Sequence, residues 1–164
     1  MANMKVLQVV GFKNSGKTTL ITRWIRLLTK KGISVAVIKH HGHASSLERP
    51  AAHTDGVQYI DNGANLSLVA GGGSAQILLK EEPDLKTLMD YVKINEPDVL
   101  LIEGFKNADQ PKVVLLRESE EWERLKQLTN IETVLPREPK EGFPYKSDEE
   151  VDQWFLQWIE EKLT

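Results

Sequence analysis

The chain has no cysteine. That absence removes a disulfide framework, a thiolate zinc site and a cysteine nucleophile together. It also lacks an excess of positive charge: 21 Lys and Arg stand against 24 Asp and Glu, for a formal net charge of −3. Such a balance gives no general electrostatic footprint for nucleic acid, so no nucleic-acid partner is expected. No apolar run approaches the ~20 residues that a membrane span needs. Met1-Ala2-Asn3-Met4-Lys5 leads directly into the first strand, with no signal-peptide core ahead of it. A cytoplasmic protein with no membrane partner is therefore expected. Internal repeats and low-complexity tracts are missing as well, and the 164 residues read as a single domain over 1–164.

What is present begins with Gly11-Phe12-Lys13-Asn14-Ser15-Gly16-Lys17-Thr18. It matches G-x-x-x-x-G-K-[ST], the phosphate-binding loop of nucleoside triphosphatases. The flanks fit: Val6 to Val10 is a short β-branched apolar run of strand character, and Thr19 to Leu28 reads as a helix. Glycines at 11 and 16 let the backbone turn tightly and aim N–H groups at phosphate oxygens. The helix that follows adds the positive end of its dipole. In this motif Lys17 reaches the β- and γ-phosphates and the Thr18 hydroxyl ligates Mg²⁺.

Further along, Lys30-Lys31-Gly32 stops the first helix, and Ile33 to Ile38 is a second strand, completing a βαβ unit. Lys39 to Thr54 is irregular and polar, with histidines at 40, 41, 43 and 53. A short helix follows over Asp55 to Asp61, opened or metal-facing at Asp55. Two strands, 65–70 and 74–80, flank Gly71-Gly72-Gly73, which reads as a hairpin turn. A helix over 83–92 has apolar positions at 85, 88, 89 and 92. Val99 to Ile102 is a continuous apolar run, as for a strand buried on both faces of a parallel sheet. A strand at 112–117, a charged helix to about Gln127 and a last strand at 131–135 follow. Ser147-Asp148-Glu149-Glu150 is a capping box, and the final helix carries an apolar stripe of Val151, Trp154, Phe155, Trp158 and Ile159. The alternation predicts an α/β protein with ligands at the carboxyl ends of its strands.

A phosphate loop alone binds phosphate; hydrolysis or transfer also needs a metal. Glu103, an acid after four apolar residues at a strand end, is the candidate for the metal side. Gly104 beside it would let backbone approach the γ-phosphate. Lys39 and His40, at the end of the second strand, are candidate phosphate donors; His41 and His43 could instead share a transition metal, or be surface residues. Leu135-Pro136-Arg137-Glu138-Pro139 is placed to touch a base, but its composition does not say which, and no Asn-Lys-x-Asp motif occurs.

Val9 to Leu20, Val37-Ile38-Lys39-His40-His41 and Leu101-Ile102-Glu103-Gly104-Phe105-Lys106 together resemble one family, protein B of molybdopterin-guanine dinucleotide biosynthesis (MobB). The resemblance covers nearly the whole chain. It implies a P-loop three-layer fold, with a mostly parallel central sheet flanked by helices and a β-hairpin beside it. It implies a GTP-binding, Mg²⁺-dependent homodimer, at most a slow GTPase. Such a protein assists guanylylation of molybdopterin alongside the guanylyltransferase; other molybdenum cofactor assembly proteins and molybdopterin itself are further candidate partners. The expected nucleotide-binding set is Gly11, Lys13, Asn14, Ser15, Gly16, Lys17, Thr18, Thr19, Lys39, His40 and Gly104. Lys17 and Glu103 are the expected catalytic residues, and Thr18 and Glu103 the metal ligands. One departure stands out: the family's Asp-Lys-Pro-Gly-Lys-Asp-Ser-like run is replaced here by Glu48 to Asp55, so residues 49–54 are left out of the site. Two other classes share the same loop. One is a small-molecule kinase with residues 39–55 as acceptor lid, and the other a metal-delivery NTPase using the histidine loop.

Overall fold

A computed structural model describes residues 4–42 and 47–163. In chain order the elements are β1 (Lys5–Gly11), α1 (Lys17–Lys30), β2 (Val35–Lys39), α2 (Asp55–Asp61), β3 (Leu66–Gly71) and β4 (Ser74–Leu79). They continue with α3 (Leu85–Lys93), β5 (Val99–Glu103), β6 (Lys112–Leu116), α4 (Glu121–Leu125), β7 (Ile131–Pro136) and α5 (Asp148–Leu163). The chain divides into two compact units, Met1–His40 with Leu88–Thr164, and His41–Thr87.

The first unit is built on a five-stranded sheet in the order β2-β5-β1-β6-β7. Every pairing in it is parallel. Side chains alternate across a strand, so Leu7 and Val9 of β1 enter one apolar layer and Val10 the other. The first layer joins Val99 and Leu101, Val113 and Leu115 to α1 through Leu20, Ile21, Trp24 and Leu28, and to α5 through Val151, Phe155, Trp158 and Ile159. The second joins Val10, Val114 and Leu116 to Leu125 of α4. Helices therefore cover both faces, giving the three-layer α/β architecture expected. Burial on both faces explains why β5 and β6 are apolar without alternation.

Local chemistry sets the ends of the helices. After α1, the Gly32 N–H donates to Thr29 O and the Ile33 N–H to Leu28 O, the paired closure of a Schellman stop. At α5 the Ser147 N–H donates to Glu150 Oε2 (2.7 Å) and the Glu150 N–H to Ser147 Oγ (3.2 Å), a complete capping box. The α5 stripe is core: Phe155 stacks on Trp24 with ring centroids 4.1 Å apart. The charged helix after β6 is shorter than expected, ending at Leu125 rather than near Gln127.

The second unit holds the antiparallel β3–β4 hairpin, with Gly71 opposite Ser74 and Gly72-Gly73 as the two-residue turn. Gly56 of α2 lies against Ser67, Val69 and Leu78, close enough that a Cβ there would meet all three. That packing covers one face of the hairpin. On the other face Leu66, Leu68 and Ile77 remain exposed. Asp55 is the first residue of α2, behind an N-cap at Thr54. α3, whose residues fall on both sides of the division, has no fully buried side chain. Among the described residues no helix is long and apolar enough to cross a membrane.

Candidate functional site

β1 ends at Gly11, and the loop to α1 begins with a steric demand. A Cβ at Gly11 would lie 2.6 Å from Ser15 Oγ and 2.8 Å from Leu115 O, so no side chain fits between the loop and β6. Gly16 is the N-cap of α1, with no side-chain cap, and the first turn carries no acid. The leading N–H groups of a 14-residue helix are thus left without a protein anion, which is the general condition for phosphate binding at a helix N-terminus. Ser15 Oγ is buried with no partner among the described residues.

Two strands then bring side chains to the loop. Thr18 Oγ1 donates to the Glu103 carboxylate, 3.1 Å from Oε1 and 3.0 Å from Oε2. Lys39 Nζ donates to Thr18 Oγ1 at 3.3 Å and lies 3.4 Å from Glu103 Oε1. Glu103 is only 6% exposed. The register explains the meeting, because Val9, Glu103 and Lys39 are neighbours across β1, β5 and β2. Lys17 Nζ turns back onto the loop, donating to Phe12 O at 2.7 Å and Gly11 O at 3.2 Å. Burial lowers the Lys17 pKa; Glu103 opposes this, while Lys106 and Lys39 add to it.

Glu103 is followed by a strained turn, Gly104 at φ +92 and Phe105 at φ +51. Two contacts hold it. The His40 N–H donates to Glu103 O at 2.9 Å, and the His40 ring packs on Phe105 with centroids 4.5 Å apart. A Cβ on Gly104 would sit 3.1 Å from His40 Cβ. Against the other side, Gln8 Nε2 donates to Gly104 O and Phe105 O, both at 2.5 Å.

This arrangement of loop, acid and basic strand end coincides with a family match. Residues 6–135 fit the model of Molybdopterin guanine dinucleotide synthesis protein B, MobB. The chain belongs to the MobB family. A Bacillus subtilis protein named as a probable molybdopterin-guanine dinucleotide biosynthesis adapter is 40% identical over 132 residues, spanning 80% of this chain and 76% of that one. The crystal structure of Bacillus subtilis MobB superposes with a TM-score of 0.78 at 33% identity, covering 98% of this chain and 99% of that one. The MobB homologue of Bacillus stearothermophilus gives 0.76 at 32% identity, covering 96% and 99%.

Of the MobB residues expected at the site, Lys17, Thr18, Lys39 and Glu103 form one cluster, with His40 and Gly104 directly behind the acid. Lys13, Asn14 and Thr19 are exposed and make no side-chain hydrogen bond among the described residues. His43 lies outside the described residues. Among those described, no group of three or more His, Asp or Glu could hold a metal ion. Gln8 escaped the sequence reading. Its signal was there, a lone amide inside the apolar run Val6-Leu7-Gln8-Val9-Val10.

Proposed function

We propose that the protein is a GTP-binding, Mg²⁺-dependent accessory of molybdopterin guanylylation, with at most slow hydrolysis of its own. The observation that carries the reading is the Thr18–Glu103 contact at the uncapped start of α1. A hydroxyl and one carboxylate make a poor all-protein metal cage. They suit Mg²⁺, which takes one or two protein ligands and fills its remaining positions from phosphate oxygens and water. Thr18 and Glu103 would hold it, and the ion would neutralise charge on the phosphates. Loop N–H groups and Lys17 would grip the same phosphates. Lys39 now provides the positive charge beside Glu103 and would be released toward the nucleotide. Slow turnover is in keeping with a site whose only carboxylate among these residues is already engaged by Thr18 and Lys39.

The relatives' printed role as adapters supports a partner rather than a solitary catalyst, and we take the guanylyltransferase of the same biosynthesis as that partner. We take the active form to be a homodimer, with the open hairpin face of Leu66, Leu68 and Ile77 as its contact surface. Titration calorimetry with GTP and Mg²⁺ tests the central claim. Lys17→Ala is expected to weaken binding by roughly 100-fold, the value of a charge-assisted phosphate contact, with an unchanged circular dichroism spectrum. Unaltered affinity in that variant would remove the phosphate-loop assignment.

A further inference from the structure

Beside the phosphate loop is a cavity of about 270 Å³ lined by Phe12, Arg117, Glu120, Glu121 and Arg124. Its polar walls divide into used and unused groups. Arg117 donates from Nε (2.9 Å) and Nη2 (2.7 Å) to Glu121 Oε1, and from its backbone N–H to Oε2 at 2.9 Å. This pair is closed on itself. Burial works to raise the Glu121 pKa, yet the bonds from Arg117 prevail and hold it below the ordinary range. Glu120, in contrast, is exposed and makes no ion pair or side-chain hydrogen bond among the described residues. Arg124 is also exposed, its guanidinium 4.8 Å from the Phe12 ring centroid, with Lys106 Nζ at 4.0 Å from the same ring.

Phe12 links this cavity to the phosphates, because its carbonyl holds Lys17 Nζ while its ring lines the cavity. A nucleotide gripped by the loop would have its base within reach of this opening. The flat surface that could stack a purine is the guanidinium of Arg124, backed by the Phe12 ring. We propose that the cavity takes the purine base, and that the Glu120 carboxylate selects guanine over adenine; this rests on the triphosphate reading above. A carboxylate only accepts hydrogen bonds. Guanine offers it two adjacent donors, N1–H and the exocyclic amine, whereas adenine sets an N1 lone pair against it. The residues after β6 thus take the base-reading role, in place of Leu135 to Pro139. Leu135 is core, and the Arg137 N–H is bonded to Leu116 O.

The test measures GTP, ATP, XTP and inorganic triphosphate, each with Mg²⁺, on the full chain and on Glu120→Gln and Arg124→Ala. GTP should exceed ATP by about 10- to 100-fold in the unaltered protein. Glu120→Gln should lose that factor for GTP and gain for XTP, whose C2 carbonyl accepts from an amide, while inorganic triphosphate is held as before. Arg124→Ala should weaken GTP and ATP alike by roughly tenfold, again sparing inorganic triphosphate. Equal affinity for GTP and ATP, or a Glu120→Gln variant with the original GTP-to-ATP ratio, overturns the base pocket. A protein that binds neither inorganic triphosphate nor GTP overturns the phosphate reading beneath it.

Discussion

Glu103 looks unremarkable in sequence, an acid after four apolar residues, and its role depends on what the sheet sets beside it. Its place beside Thr18 was legible because the pattern sat at a strand end in a chain that already had the loop motif. Gln8 was not legible, because its two acceptors, Gly104 O and Phe105 O, lie about a hundred positions away. Lys112 escaped for a different reason: its acceptors are near in the chain, but nothing local says that a lysine opening a strand will be buried. It is fully buried, its ammonium donating to Ala108 O and Thr129 O, and burial lowers its pKa against the pull of Asp109. Two predictions belong at this scale. Gly104→Ala combines a left-handed backbone with a Cβ pressed toward His40, and should destabilise by about 1–3 kcal/mol in urea unfolding. Glu103→Gln should weaken GTP binding by tenfold or more in Mg²⁺, by the general sensitivity of such sites. Without the metal the loss should be small, and calorimetry in EDTA separates the two.

Helices and strands were read well wherever their signal is local. The glycine stop of α1, the capping box of α5 and the two-residue turn of the β-hairpin are each set by side chains within a few positions. Ends without a local stop signal drifted: α4 stops at Leu125, buried in the second apolar layer, rather than near Gln127. The α5 start gives a pH prediction. The Ser147 N–H and hydroxyl hold the Glu150 pKa below the ordinary glutamate value of 4.5. A carboxylate lowered on folding adds stability above that value and loses it as pH falls through the folded pKa. Wild type should therefore melt higher than Glu150→Ala at pH 7, and the gap should narrow as pH falls below 4.5. Ser147→Ala should cost about 1 kcal/mol, or about 2–4 °C in melting temperature. Phe155→Ala, which unstacks Trp24, should cost about 3–5 kcal/mol in the same measurement.

Over the whole molecule, the class was legible and the strand order was not. Alternating β and α segments demand a parallel sheet, but nothing in β5 says that it inserts between β1 and β2. That choice is made by side chains on both of its faces finding partners, a sum over the entire core. The homodimer proposed above is tested at this scale. Leu68, 58% exposed and opposite Ile77, is the centre of the open hairpin face. Leu68→Asp should shift the mass seen by light scattering from dimer to monomer and leave GTP affinity within about twofold, since surface changes away from a site perturb little.

The position of β1 in the sheet also matters while the chain is being made. Its neighbours are β5 and β6, so the strand that carries the phosphate loop has no partner until residues 99–116 have left the ribosome. At translation rates of about 5–20 residues per second, the loop spends at least several seconds without its floor. A nascent chain arrested before Val99 should be unable to retain nucleotide, whereas one released beyond Leu116 has both flanks of the loop in place. Acquisition of the ligand site thus lags well behind translation of its motif.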